Sequence, residues 1–169
     1  MIDEESSTDY WRTDPRAFAD AWLHDESPYL NNPDWPSDWS DMCYQLNGDT
    51  YEYQVCRAMM TDEEQDVYNA LPEIVIAWRG INLPFGVDPA VAFDYGMSWT
   101  LDREKAVRFA SRFLGVYKHD GRRYDRAFVA ETKVHKNGIY ALFNGRGERE
   151  VVLDPEVFEI RSIQDITML

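Results

Sequence analysis

The sequence predicts an α+β protein in which a mainly helical segment precedes a strand-rich part. Helix caps and helically spaced apolar residues dominate residues 1–72, whereas short runs rich in β-branched and aromatic residues dominate residues 73–169. The chain has 169 residues, 44% of them apolar, which suits one domain with a buried core. We therefore expect an acidic, Trp-rich helical segment, residues 1–72, packed on a second part, residues 73–169.

The first predicted helix follows Thr13-Asp14-Pro15, because Asp is a favoured N-cap and Pro is favoured in the first turn. Pro28 is expected to end this helix. Residues 31–40 combine two prolines with Asn, Asp and Ser, which predicts a loop anchored by tryptophans. The core-facing residues predicted on the helix are Phe18, Ala21, Trp22 and Tyr29.

Two further helices are predicted before residue 73. The first is short and covers about residues 49–60. The second begins at Thr61-Asp-Glu-Glu64, a capping box in which the Thr61 hydroxyl and the Glu64 carboxylate each satisfy the other's backbone amide. Pro72 ends that helix.

The strand-rich part begins with an apolar strand over residues 73–78. One helix interrupts the strands; we expect a capped start at Thr100 and an apolar face formed by Ala106, Phe109, Ala110 and Phe113. A polar loop over residues 115–126 follows the helix. Four later strands, separated by Gly, Asn or Asp-Pro turns, are predicted over residues 127–134, 138–143, 149–153 and 157–163.

The net charge of −14 is unevenly distributed. Residues 1–70 contain 17 acidic residues against Arg12, Arg16 and Arg57, whereas residues 71–169 contain 14 residues of each sign. An acidic surface repels phosphate, so we expect no direct nucleic-acid binding. Two interpretations of the acidic segment stay open: simple solubility, and attraction of a basic partner by imitation of nucleic acid.

No segment is expected to cross a membrane or to direct secretion. The longest apolar run, Ile74-Val-Ile-Ala-Trp78, is far shorter than the ~20 residues of a transmembrane helix. The opening residues are acidic and carry no apolar signal region, so we expect a cytoplasmic protein. Cys43 and Cys56 match neither a zinc site nor a disulfide framework, and we interpret each as a buried or half-buried thiol.

Three short motifs in the strand-rich part carry side chains that can do chemistry. They are Arg79-Gly80 after the first strand, Ser98-Trp99-Thr100 before the helix, and Glu148-Arg149-Glu150 at a late strand. Each motif also has a simpler interpretation: a surface ion pair, a helix cap and a common Glu-x-Glu pattern. On a strand, alternation places the two carboxylates of the third motif on one face, where one raises the pKa of the other.

In this order, the three motifs resemble the ADP-ribosyltransferase family, in the arginine, serine and glutamate class that many bacterial toxins share. The resemblance spans residues 74–160. The chain departs from the family's usual Ser-Thr-Ser by placing Trp99 and Thr100 after Ser98. The resemblance implies a split β-sandwich made of two small, strongly bent sheets, and an enzyme that cleaves NAD and transfers ADP-ribose to a protein.

The resemblance also implies how NAD is held. Glu150 stabilises the oxocarbenium-like ribose and holds a ribose hydroxyl, and Ser98 orients Glu150 by a hydrogen bond. Arg79 fixes the diphosphate through its planar guanidinium. The backbone at Gly80 binds the nicotinamide amide, and Thr100 completes the NAD site. No metal is required.

The acceptor side is implied by the residues around the second carboxylate. Glu148 acts as general base on the acceptor, which favours arginine as that acceptor. In the resembled family the segment just before the paired carboxylates helps to select the target, so Phe143 and Arg146 are candidate recognition residues. Asn144-Gly145 also signals an ordinary hairpin turn, and this alternative stays open.

Four cations of the 115–126 loop and the three scattered histidines are not assigned to the site. These residues are Lys118, Arg122, Arg123, Arg126, His24, His119 and His135.

The leading hypothesis is therefore an NAD-dependent mono-ADP-ribosyltransferase, of a kind that suits a phage or plasmid effector. One alternative is an acidic protein that mimics nucleic acid and inhibits a host enzyme by occupying its basic surface. A second alternative is an NAD glycohydrolase, which hydrolyses NAD without transfer.

Overall fold

The computed structural model describes residues 14–24, 35–47, 55–94 and 96–169. Its helices are α1 (Pro15–His24), α2 (Trp35–Asn47), α3 (Asp62–Asn69), α4 (Pro89–Phe93) and α5 (Arg103–Ser111). Its strands are β1 (Ile74–Leu83), β2 (Ser98–Thr100), β3 (Val116–Tyr117), β4 (Arg123–Tyr124), β5 (Arg126–His135), β6 (Ile139–Phe143), β7 (Glu150–Leu153) and β8 (Glu159–Asp165). The predicted α+β class is confirmed. None of the helices in these ranges is long and apolar enough to span a bilayer.

Six of the described strands form one antiparallel sheet of order β6-β7-β2-β1-β5-β8, and β3 pairs with β4. Strands β1 and β5 pair along their whole length, from Ile74 with His135 to Leu83 with Arg126. Strand β2 pairs with β7 over Ser98–Thr100 but reaches β1 through a single register pair, Trp78 with Thr100. This arrangement does not confirm the split β-sandwich.

The predicted strands are confirmed with shifted ends. Strand β1 continues past residue 78 to Leu83, because β5 offers an unbroken partner strand. Strand β7 begins at Glu150, because Arg149 has a left-handed φ of 49°. Residues 115–126 are not a plain loop as predicted: they contain the β3–β4 hairpin, with Gly115 and Gly121 at positive φ.

Helix α5 starts later than predicted. Its N-cap is Asp102, whose carboxylate accepts the backbone N–H groups of Glu104 and Lys105. Thr100 is not the cap, because it lies in β2, paired with β1 and β7. The buried face of α5 consists of Ala106 and Ala110, whereas the predicted core residues Phe109 and Phe113 are exposed.

Helix α1 begins at Pro15 as predicted, with Asp14 accepting the backbone N–H of Arg16 over 2.8 Å. Phe18 and Trp22 are buried, which confirms their assignment to the core. The predictions for Pro28 and Tyr29 fall outside the described residues.

Helix α2 corrects the loop predicted over residues 31–40. Trp35 opens the helix and Pro36 lies in its first turn, where the missing N–H of proline costs nothing. Trp35 and Trp39, four residues apart on one helix face, are both buried. In the region predicted as a helix over residues 49–60, residues 49–54 lie outside the described ranges and Arg57–Met59 form a single 3₁₀ turn.

The predicted capping box of α3 is confirmed. The Glu64 backbone N–H donates to the Thr61 hydroxyl, and the Thr61 backbone N–H donates to the Glu64 carboxylate over 2.9 Å. The helix ends at Asn69, ahead of Pro72.

The interpretation of the two cysteines as thiols is wrong: Cys43 and Cys56 form a disulfide. Their Cα atoms lie 5.4 Å apart, within the range a disulfide needs. The bridge ties α2 to the segment that leads into α3. Spacing of 13 residues does not reveal such a pairing, because it depends on how α2 packs.

The helices before β1 share one apolar core with the sheet. Phe18 and Trp22 of α1 contact Trp39 of α2 edge to face, with ring centroids 5.0 and 5.3 Å apart. Trp39 in turn stacks on Tyr140 of β6 at 5.8 Å. Aromatic contacts of this kind add about 0.5–1.5 kcal/mol each beyond area burial. They place α1 over the β6–β7 end of the sheet.

Candidate functional site

The three motif regions lie on neighbouring strands. In the sheet β2 lies between β1 and β7, and Thr100 pairs with Trp78 on one side and Glu150 on the other. Residues paired across strands share a face, so Glu150 lies on the Thr100 face. Arg79, one residue after Trp78, starts on the opposite face.

Arg79 is buried, with 8% of its surface exposed. Its Nη1 donates to the carbonyl oxygen of Ser98 over 2.8 Å. The guanidinium lies so close to the backbone of Gly96 that a Cβ there would overlap it, which explains the glycine. Arg79 therefore fixes the start of β2 against β1, and its binding of a diphosphate stays a prediction.

Gly80 has a packing reason that is independent of any ligand. A Cβ at this position would overlap the backbone carbonyl oxygen of Ala106 on α5. The glycine lets the helix pack directly on β1, so its role toward the nicotinamide amide also stays a prediction.

Glu150 is the most deeply buried carboxylate of the site, with 4% of its surface exposed. Nε1 of Trp22 donates a hydrogen bond to its Oε1 over 3.0 Å. Burial raises the pKa of Glu150, while the nearby Ser98 side chain and the Trp22 N–H oppose the rise. Ser98 lies on the strand paired with that of Glu150, and its role of orienting this carboxylate stays a prediction.

Glu148 does not share a strand with Glu150, which corrects the alternation argument. Strand β7 starts at Glu150, and the left-handed Arg149 separates the two carboxylates. Glu148 is held instead by its neighbours: its backbone carbonyl accepts the Thr100 hydroxyl over 2.8 Å, and its carboxylate pairs with Arg146 over 3.4 Å. Thr100 thus supports the turn that carries Glu148.

The turn between β6 and β7 is anchored from α3. Oε1 of Glu64 accepts the backbone N–H of Asn144 over 2.8 Å, while the same carboxylate caps its own helix. The backbone N–H of Gly147 donates to the Asn144 carbonyl, which closes the turn. Phe143, a predicted recognition residue, is buried against Trp39, whereas Arg146 is exposed.

A cavity of about 250 Å³ opens beside the two carboxylates. It lies between the end of α1 and the β6–β7 turn. Its lining residues are Leu23, His24, Glu64, Phe143, Gly145, Arg146, Glu148 and Glu150. A larger, more open depression of about 500 Å³ near Asp94 and Phe158 holds none of the predicted site residues, and we give it no role.

Sequence reasoning missed three residues of this site. Trp22 reaches Glu150 across 128 positions of the chain, and no local pattern signals such a contact. Glu64 was identified as a cap, but its second contact with Asn144 depends on the packing of α3 against the turn. His24 lines the cavity, although the sequence assigned the histidines no role.

The described ranges contain no group of three His, Cys, Asp or Glu side chains arranged to hold a metal ion. No family model, curated protein or solved structure matches the chain.

Proposed function

We propose that the protein is a mono-ADP-ribosyltransferase that cleaves NAD and transfers ADP-ribose to an arginine of another protein. The observation that supports this best is the position of Ser98 beside both other motif residues. Its carbonyl oxygen accepts from Nη1 of Arg79, and its strand pairs with that of Glu150, whose pKa the Ser98 side chain lowers. Three residues that are far apart in the sequence, and that one reaction needs together, are neighbours.

The proposed reaction breaks the bond between the anomeric carbon of the ribose and the nicotinamide nitrogen. Nicotinamide leaves with the bonding electron pair, and positive charge develops on the ribose. Glu150 stabilises that charge from a site largely shielded from water, where a carboxylate acts more strongly than in solution. The acceptor nitrogen then forms the new bond to the anomeric carbon, and its proton passes to Glu148.

Arg79 and Ser98 prepare this site. Arg79 contributes a fixed positive charge that attracts the diphosphate, and it keeps β2 in register with β1. Ser98 keeps the Glu150 carboxylate oriented. The first role agrees with the 2.8 Å hydrogen bond from Arg79 to the Ser98 carbonyl, and the second agrees with the lowering of the Glu150 pKa by the Ser98 side chain.

We assign the cavity beside Glu148 and Glu150 to the acceptor side chain. Its volume of about 250 Å³ lies below the range of roughly 300–1,000 Å³ for small-molecule sites, so it is small for a dinucleotide. Glu64 is a third carboxylate in its lining. The lining holds one arginine, Arg146, against these three carboxylates. The excess of carboxylates favours a cationic side chain, and the planar guanidinium of arginine pairs well with carboxylates.

The proposal includes the split β-sandwich. In it, β6, β7 and β2 form one half and β1, β5 and β8 the other. The single register pair between β1 and β2 supports this division, since every other strand junction of that sheet has at least three pairs. We further propose that the protein is a phage or bacterial effector that acts inside the producing or host cell.

The test is incubation of the purified full chain with NAD labelled in its adenylate part and a bacterial lysate. We expect free nicotinamide and a labelled protein band, both lost in Arg79→Ala. Absence of nicotinamide release by the unmodified protein rejects the proposal. Nicotinamide without a labelled protein favours the NAD glycohydrolase alternative.

A second function, mimicry of nucleic acid toward a basic host enzyme, is favoured by the charge of the early helices. Asp20, Asp41, Asp62, Glu63 and Asp66 are all exposed on α1 to α3. Such an inhibitor binds its target stoichiometrically and weakens steeply with salt, whereas NAD turnover does not require a stoichiometric complex.

A further inference from the structure

The helical segment before β1 meets the candidate site through a buried hydrogen bond. Trp22 on α1 donates from Nε1 to Oε1 of Glu150 over 3.0 Å, and both side chains are buried. We infer that Trp22 is a positioning residue that holds the Glu150 carboxylate in its reactive orientation. The inference rests on the proposed function for the role of the carboxylate, whereas the hydrogen bond from Trp22 to Glu150 is independent of that function.

The indole of Trp22 is fixed by its neighbours. Its ring contacts those of Trp35 and Trp39 edge to face, with centroids 5.1 and 5.3 Å away and interplanar angles of 86° and 88°. A ring held on two sides in a close-packed core has little freedom to turn. Its N–H is therefore aimed at Glu150 before any substrate binds, which is the property a supporting side chain needs.

The contact leaves room for substrate at the carboxylate. An ionised carboxylate accepts about four hydrogen bonds, and Trp22 supplies one of them. Glu150 also lines the cavity that it shares with Glu148. The indole thus orients the carboxylate while leaving it open to the cavity.

The surroundings of Glu150 predict what loss of the indole N–H does. Glu148 raises the pKa of Glu150 and Arg146 lowers it, and both residues lie on the turn between β6 and β7. His24 of α1 and Glu64 of α3 line the same cavity as Glu150. Burial is the largest influence and raises the pKa, while the Trp22 hydrogen bond opposes it. Removing that bond raises the pKa further, so turnover that needs the ionised form fails at a higher pH.

The variant pair Trp22→Phe and Trp39→Phe separates positioning from packing. Both tryptophans are buried in the same aromatic cluster, and both lose their indole in the exchange. Nε1 of Trp39 has no hydrogen-bond partner in the described part of the chain, so its variant loses packing alone. We expect Trp22→Phe to lower nicotinamide release on the order of 10-fold to 100-fold, the cost of a hydrogen bond to a charged group.

The pH profile of nicotinamide release gives the sharper comparison. We expect the acid limb to move to higher pH in Trp22→Phe and to keep its position in Trp39→Phe. Equal profiles in the two variants overturn the inference. Faster turnover in Trp22→Phe also overturns it, because α1 would then be a cover that obstructs the site.

A measurement on the unmodified protein needs neither activity nor a stable variant. The indole ¹H–¹⁵N resonance of Trp22, assigned through its proximity to the rings of Trp35 and Trp39, should shift with pH as Glu150 titrates, while that of Trp39 stays constant. A Trp22 resonance that does not titrate overturns the inference. If the Trp22 resonance titrates but the protein releases no nicotinamide, the proposed function alone is rejected. The hydrogen bond from Trp22 to Glu150 is then still supported.

Discussion

Replacing Glu150 by Gln should have opposite effects on stability and on turnover. The exchange keeps the shape of the side chain and removes its charge. The folded protein buries this carboxylate almost completely, and burial raises its pKa above the ordinary value. The stability that this group contributes is therefore fully present below the usual carboxyl pKa and is lost as pH rises through the raised one.

At neutral pH, Glu150→Gln removes this loss of stability, because the amide has no charge that must be buried. Each pKa unit is worth about 1.4 kcal/mol of unfolding free energy, and 1 kcal/mol moves Tm by about 2–4 °C in a domain of this size. We therefore expect a higher Tm than in the unmodified protein at pH 8, and equal Tm values near pH 4. Turnover of NAD should fall on the order of 100-fold to 1,000-fold, the cost of one preorganised electrostatic group.

Thermal unfolding followed by circular dichroism between pH 4 and pH 8, together with nicotinamide release, checks both effects. Glu63→Gln is the control, because it removes an exposed carboxylate that lies outside the candidate site. A Glu150→Gln variant that is less stable at every pH refutes the reasoning about burial. A variant with undiminished turnover refutes the assignment of Glu150.

Three further predictions follow from named contacts. Glu148→Gln should abolish transfer to protein while retaining part of the NAD hydrolysis; the reverse pattern would show that the two carboxylates exchange roles. Gly80→Ala should lower the unfolding free energy by about 1–3 kcal/mol, because its methyl group overlaps the Ala106 carbonyl. The control for Gly80→Ala is Gly145→Ala, whose methyl group points into open space. In a urea titration this control should change the unfolding free energy by less than about 0.5 kcal/mol. Double replacement of Cys43 and Cys56 by Ser should cost about 3 kcal/mol. Two reactive thiols in the unmodified, unfolded protein would contradict the disulfide.

Local patterns predicted the elements whose signals lie within a few residues. The capping box from Thr61 to Glu64 spans four residues, and α3 follows as expected. The apolar runs of β1 and of β5 to β8 were recognised from composition and turn residues, with ends that shifted where backbone conformation intervened. Arg149 is the example, because its left-handed φ moves Glu148 out of the strand.

Features that depend on packing were not predictable in this way. Pro36 is typical of a loop, yet it lies in the first turn of α2, because Trp35 and Trp39 are buried against α1. The same packing brings Cys43 to Cys56. The contact of Trp22 with Glu150 joins residues 128 positions apart, so it exists only once the helices before β1 lie on the sheet.

The most direct measurement of the central claim is an NMR titration of the ¹⁵N-labelled protein with NAD. Backbone amide shifts should concentrate at Gly80, at Ser98–Thr100 and at residues 148–150, and they should saturate with one dissociation constant. Shifts confined to other surfaces, or no shifts at millimolar NAD, would contradict the claim that these strands together bind the dinucleotide.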